Sequence, residues 1–149
     1  MVRTVYVNGQ FVSEFEARIS IFDRGFLFSD SVYEVITVFE GKLVDWAGHL
    51  ERLERSLSYL NIIMSCSRED LLRLHRELVK RNNFKYGLIY TQFSRGIAER
   101  DFLIKDTSEA SLVMFNQELN LLDPARLNRC LRVITVPEVR WKHRDIKST

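Results

Sequence analysis

The chain has 149 residues, 46% of them hydrophobic and 28% charged, a composition that excludes a disordered or fibrous protein and leaves room for a buried core. Lys and Arg number 22 against 20 Asp and Glu, and a formal charge of +2 carries no nucleic-acid reading. No stretch approaches the roughly 18 apolar residues of a membrane span, and no basic stretch followed by an apolar run opens the chain, so a cytoplasmic protein without a membrane partner is expected.

In chain order, TVYVNGQFV sets Asn8-Gly9 between two short β-prone runs. Both residues tolerate positive φ, which predicts a hairpin. After the polar run SEFEARISIFDRG, the stretch FLFSDSVYEVITVFEGKLVDW alternates. Val32, Glu34, Ile36, Val38 and Glu40 share one strand face, Tyr33, Val35, Thr37 and Phe39 the other. Glu40-Gly41 reads as the next turn. From Asp45, which can serve as N-cap, the period changes: Leu50, Leu53, Leu57 and Leu60 recur at helical steps. A second helix follows in SREDLLRLHRELVKRNN, with Ser67 and Asp70 as its capping pair, Leu71, Leu74 and Leu78 as its apolar stripe, and Lys80 and Arg81 complementing its dipole.

YGLIYTQFSRG and ASLVMFNQEL alternate as strands around a charged loop. The fold class is therefore α+β, an antiparallel sheet with two helices over residues 1–120. Residues 121–128, which contain Asp123-Pro124, form a connector. LRVITVPEV is expected to be a short strand opening a second α/β unit over 129–149, too little chain to bury a core of its own. Cys66 and Cys130 lack metal-ligand spacing, so neither a metal site nor a disulfide framework is expected.

Four places hold candidate chemistry, each with a structural alternative. His49 and Arg52 share a helix face, from which the arginine could grip a phosphate or merely meet solvent. Tyr33 and Glu34 point to opposite sides of their strand, and a strand tyrosine often only packs. Arg95 and Arg100 flank a glycine-containing turn and could present a guanidinium to a carboxylate, or serve solubility. Lys147 stands near Arg140, Lys142, His143 and Arg144, cationic neighbours that favour a free amine nucleophile unless Asp145 opposes them.

FDRGFLFSDSVYEVITVFEGK, HLERLERSLSYLNI, IYTQFSRGIAERDF and RWKHRDIKS resemble, in order and spacing, the N-terminal half of the D-amino acid transaminases. These are class IV aminotransferases of pyridoxal-phosphate fold type IV. The resemblance covers nearly the whole chain. It implies pyridoxal 5'-phosphate as cofactor and Lys147 as the Schiff-base lysine that also moves the substrate proton. It implies further that Arg52 binds the cofactor phosphate, that Tyr33 and Arg100 bind the substrate carboxylate, and that His49, Glu34 and Arg140 support them. In relatives the arginine matching Arg100 comes from across a homodimer interface, so a homodimer is implied as well.

One position departs from the family pattern R-x-H: Phe102 stands where the histidine would be and cannot donate a hydrogen bond. Arg24 or Arg95 is then an alternative carboxylate ligand. The activity implied is transfer of an amino group from a D-amino acid such as D-alanine to a 2-oxo acid such as 2-oxoglutarate. The alternatives are branched-chain transamination, the aminodeoxychorismate lyase reaction, or a non-catalytic α+β module. The acidic partner of the cofactor's ring nitrogen is expected beyond Thr149, and residues 1–149 alone are expected to be inactive.

Overall fold

The structure is a computed structural model that describes residues 2–104, 109–137 and 145–149. Six strands and four helices occur among them in the order β1 (Thr4–Val7), β2 (Gln10–Ser13), α1 (Arg24–Phe28), β3 (Ser31–Phe39), β4 (Lys42–Leu43), α2 (Trp46–Tyr59), α3 (Arg68–Asn82), β5 (Gly87–Ser94), β6 (Ser111–Glu118) and α4 (Pro124–Leu127). The strands form one sheet in the order β2-β1-β6-β5-β3-β4, with antiparallel pairing throughout.

The two turn signals work as expected. Asn8 and Gly9, at φ 43° and 95°, join β1 to β2, and Glu40 and Gly41, at φ 50° and 74°, join β3 to β4. The central ladder is longer: β5 pairs with β3 from Ser31↔Ser94 to Val38↔Gly87, and with β6 from Gly87↔Glu118 to Ser94↔Ser111. Gly87 has no substitute at the head of β5. Its φ is 152°, and an added Cβ would meet the Gln117 carbonyl oxygen at 2.2 Å.

One sheet face is the core. Val32, Ile36, Val38, Ile89, Phe93, Leu112 and Met114 lie buried with the α2 leucines 50, 53 and 57 and the α3 leucines 71, 74 and 78. Asp45 and Ser67 are the N-caps of the two long helices, accepting from the backbone N–H of Gly48 and Asp70. The opposite face is half-buried and carries an aromatic row, Tyr33 on Tyr90 at 5.3 Å and Tyr90 on Phe115 at 5.0 Å between ring centroids.

β4 covers only the end of β3, pairing at Val38 and Phe39. The first half of that edge is taken by residues 147–149. Tyr33 donates its backbone N–H to the Lys147 carbonyl at 2.9 Å, Thr149 donates to the Ser31 carbonyl at 3.4 Å, and Ser148 bridges Val32. An uncovered strand edge leaves backbone groups unpaired, and this tail satisfies them.

Two expectations need correction. Residues 131–137 are in no strand, and Leu131, Val133, Ile134 and Val136 are exposed. An apolar alternating run needs a partner to satisfy its backbone, and none lies beside it among the described residues. The end of the polar run and the Phe26–Phe28 opening of the alternating stretch form the short helix α1 instead, capped by Asp23, whose carboxylate accepts from Gly25 N–H at 2.8 Å. The connector contains α4. Among the described residues no helix is long and apolar enough to cross a membrane, and no group of three or more metal-ligating side chains occurs.

His75 is the buried polar link between α3 and the sheet. Its Nδ1 lies 2.8 Å from the Leu71 carbonyl, which can only accept, so Nδ1 carries the proton and Nε2 accepts from the Thr91 hydroxyl at 2.8 Å. Burial pulls its pKa down from 6.5 to about 4. The folded pKa is depressed, so in this window only the unfolded chain gains the proton. The stabilisation is full above pH 6.5 and declines as pH falls toward 4. Denaturant unfolding should register a loss on the order of 3 kcal/mol across this window. His75→Gln should remove that part of the pH dependence.

Candidate active site

The candidate site begins with an unfavourable burial. Glu34 points from β3 into the core under α2, with 1% of its side chain exposed. A lone carboxylate there would lose its hydration uncompensated. It is instead held in a fork: Arg52 Nε donates to Oε1 and Nη2 to Oε2, both at 2.6 Å, and His49 Nδ1 lies 2.8 Å from Oε2. Burial pushes the Glu34 carboxyl up, but the hydrogen bonds and charges of Arg52 and His49 more than reverse it, and it titrates below its ordinary value. The fork occupies one side of the guanidinium. Among the described residues Arg52 Nη1 makes no hydrogen bond, and 41% of the side chain is exposed.

His49, Arg52 and Ser56 follow at steps of three and four on α2 and so share one helix face. The first two grip Glu34. Ser56, fully buried, accepts the backbone N–H of Lys147 at 3.2 Å. With the Lys147 carbonyl bonded to Tyr33 N–H, the lysine backbone is pinned on both sides. Its Nζ lies 4.1 Å from the centroid of the Tyr33 ring. The tail is fastened further by the hydroxyls of Ser31 and Thr149, 2.5 Å apart. Lys147, Tyr33, Arg52, His49 and Glu34 thus gather at one end of β3.

Arg100 is not in that group. It is exposed in the segment after β5, where its guanidinium lies 5.6 Å from the Phe28 ring and 5.3 Å from the Phe102 ring. Arg24 and Arg95, the alternative carboxylate ligands, are both turned onto Asp30. Their charge is already answered by a carboxylate, which weighs against a substrate role. Arg140, with Lys142, His143 and Arg144, lies outside the described residues.

Ser56, Ser31, Thr149 and Asp30 were not among the sequence-predicted site residues. Ser56 had a usable signal, since it stands four residues after Arg52 on the same face. Ser31 and Thr149 had none, because their contact spans 118 positions.

The model of the family described as Amino-transferase class IV matches residues 31–149. D-alanine aminotransferases of Staphylococcus aureus (strain MSSA476) and Staphylococcus haemolyticus are 37% and 35% identical to it, each over 97% of this chain and 51% of their own length. The D-alanine aminotransferase of Listeria monocytogenes serotype 4b is 33% identical, over 97% of this chain and 50% of its own. Solved structures agree in fold. The Escherichia coli branched-chain amino acid aminotransferase superposes with a TM-score of 0.74 at 17% identity, covering 80% of this chain and 42% of that one. The T.th. branched-chain enzyme complexed with N-(5'-phosphopyridoxyl)-L-glutamate gives 0.73 at 21%, covering 80% and 41%.

The antiparallel sheet and helices that hold these residues have the fold of the branched-chain aminotransferase structures. The chain belongs to the class IV aminotransferase family. It spans about half the length of the curated relatives that it matches.

The Glu34 fork is open to test. Glu34→Gln should cost about 2 kcal/mol of stability at neutral pH, less than a fully buried broken pair because Arg52 can reach water. Since the folded carboxyl titrates below its ordinary 4.5, the advantage of wild type is full above that pH and shrinks as pH falls further. Unfolding free energies of the two proteins at pH 7 and pH 3.5 measure both effects.

Proposed function

We propose that the intact protein is a pyridoxal-phosphate-dependent aminotransferase that moves an amino group from a D-amino acid such as D-alanine to a 2-oxo acid such as 2-oxoglutarate. The observation that carries this reading is the meeting of three distant segments at β3: the Lys147 amine lies on the Tyr33 ring, and its backbone is held by Ser56 on the α2 face that carries the Glu34-bound Arg52. The D-alanine aminotransferase relatives support the choice of substrate.

The residues present fit the cofactor. Arg52 keeps Nη1 for an anion while Glu34 fixes its plane, which suits a phosphate. Lys147 offers a primary amine whose Nζ makes no ion pair among the described residues. When bound, pyridoxal phosphate supplies an electrophilic carbon for amines and a conjugated ring that takes up the electron pair left at a deprotonated Cα.

In this reading Arg52 anchors the phosphate, and Glu34 and His49 keep the guanidinium aimed. Lys147 would hold the cofactor through its amine and, once freed, would carry the proton between the substrate Cα and the cofactor carbon. Tyr33 bounds the space around Nζ. Arg100, exposed in the segment after β5, receives a substrate carboxylate in a neighbouring copy of the chain, which makes the active form a homodimer. Residues 1–120 form the small domain, 121–128 the connector, and 129–149 the start of the cofactor-binding domain, from which Arg140 assists Lys147.

A second reading, branched-chain L-amino acid transamination, has one observation in its favour. Phe102 places an apolar ring beside Arg100 where a hydrogen-bonding histidine is the family pattern.

Full-length protein loaded with cofactor should turn over D-alanine with 2-oxoglutarate; turnover of L-leucine alone would select the second reading. Lys147→Ala should lower the rate roughly 10³-fold or more and abolish a near-visible absorption band that borohydride bleaches. Persistence of that band would place the cofactor on a different lysine.

A further inference from the structure

Asp30 stands at the foot of β3, one residue before Ser31, with its carboxylate between two guanidinium groups. Oδ2 accepts from Arg24 Nε at 2.8 Å and from Arg95 Nε at 2.7 Å, and Oδ1 accepts from Arg95 Nη2 at 2.9 Å. The side chains of Asp30, Arg24 and Arg95 are 12%, 7% and 11% exposed. Two cations so close in a nearly dry place need a carboxylate between them. Burial pushes the Asp30 carboxyl up, and Arg95 and Arg24 pull it below its ordinary value.

Each arginine also has a second task. Arg24 Nη1 donates to the backbone carbonyl of Asp101 at 2.8 Å, the residue that follows Arg100. Its guanidinium lies 4.7 Å from the Phe28 ring, which Arg100 approaches as well. Arg95 donates to the carbonyls of Leu60 and Asn61 at 2.7 and 3.1 Å, just past the end of α2. The carboxylate therefore joins three parts of the molecule: β3, which holds Lys147 on its edge; the end of α2, which carries Arg52; and the segment that presents Arg100.

We propose that Asp30 is a positioning residue for substrate binding, fixing the Arg100 segment through Arg24 and the Asp101 carbonyl. The proposal rests on Arg100 as the carboxylate-binding arginine of the reading above. Asp30 itself touches neither substrate nor cofactor. Its loss should weaken binding of carboxylate substrates while leaving the chemistry at Lys147 intact.

The test uses full-length, cofactor-loaded protein. Wild type is assayed first with D-alanine and L-leucine, and failure to turn over either would defeat the aminotransferase reading itself. With an active wild type, Asp30→Asn should raise KM for the amino acid and for the 2-oxo acid roughly tenfold and leave kcat within about threefold. The absorption band of the bound cofactor should persist. Adding Asp30→Asn to Arg100→Ala should raise KM no further, because the two act through one contact.

Unchanged KM, independent effects in the double variant, or loss of the cofactor band in Asp30→Asn would each overturn the proposal. Should Asp30→Asn fail to fold, Arg24→Lys decides. A lysine keeps the charge beside Asp30 but cannot pair with it and also reach the Asp101 carbonyl. It should reproduce the KM rise and the lack of additivity, and a wild-type KM in that variant would sink the idea.

Discussion

The burial of the Glu34 carboxylate is the constraint on which the candidate site depends. Placed on the core face of β3 by simple strand alternation, it can remain ionised there only if charge and hydrogen bonds replace its water. Arg52 and His49 supply both, and they do so from one face of α2. The requirement locks the helix to the strand in one rotational setting. In that setting Ser56 faces the edge of β3 and takes the amide of Lys147. A desolvation problem in the core thus sets the position of the Lys147 backbone at the edge of the sheet.

β3 is the hub. One edge pairs with β5 along its length, and the other is divided between β4 and residues 147–149. Backbone pairing is an economical way to hold Lys147, because it fixes the main chain while leaving the amine free to move over the Tyr33 ring. The foot of the same strand carries Asp30, where two buried arginines tie the end of α2 and the Arg100 segment to it. Two carboxylates four residues apart, Glu34 and Asp30, orient Arg52 on α2 and Arg24 and Arg95 at the foot of β3.

Much of the fold was legible in the sequence because it is written in local terms. Asn8-Gly9 and Glu40-Gly41 mark turns through their tolerance of positive φ, and the leucine spacings of α2 and α3 mark the faces that meet the sheet. Helix α1 was not legible. Its five residues are too few to show a period, and it depends on the Asp23 cap, whose second oxygen accepts from the Ser94 hydroxyl across the fold. The expected strand in 131–137 failed for the opposite reason: its pattern is strand-like, but pattern alone supplies no partner. Among the site residues, His49 and Arg52 were paired correctly by helical spacing. That they converge on Glu34 was hidden, since strand alternation says which way a carboxylate points and not what waits there.

By itself the sequence determined which residues share a face, where the turns fall, and which family the chain resembles, all of which rest on spacing along the chain. Only the tertiary structure decided which charges meet. Arg52 was a candidate phosphate ligand from its helix, yet its orientation is set by a carboxylate 18 positions away. Arg24 and Arg95 looked as available as Arg100 until the fold closed both onto Asp30. The physical reason is common to these cases. An ionised side chain is committed by the desolvation of its surroundings, and desolvation exists only once distant segments have packed together.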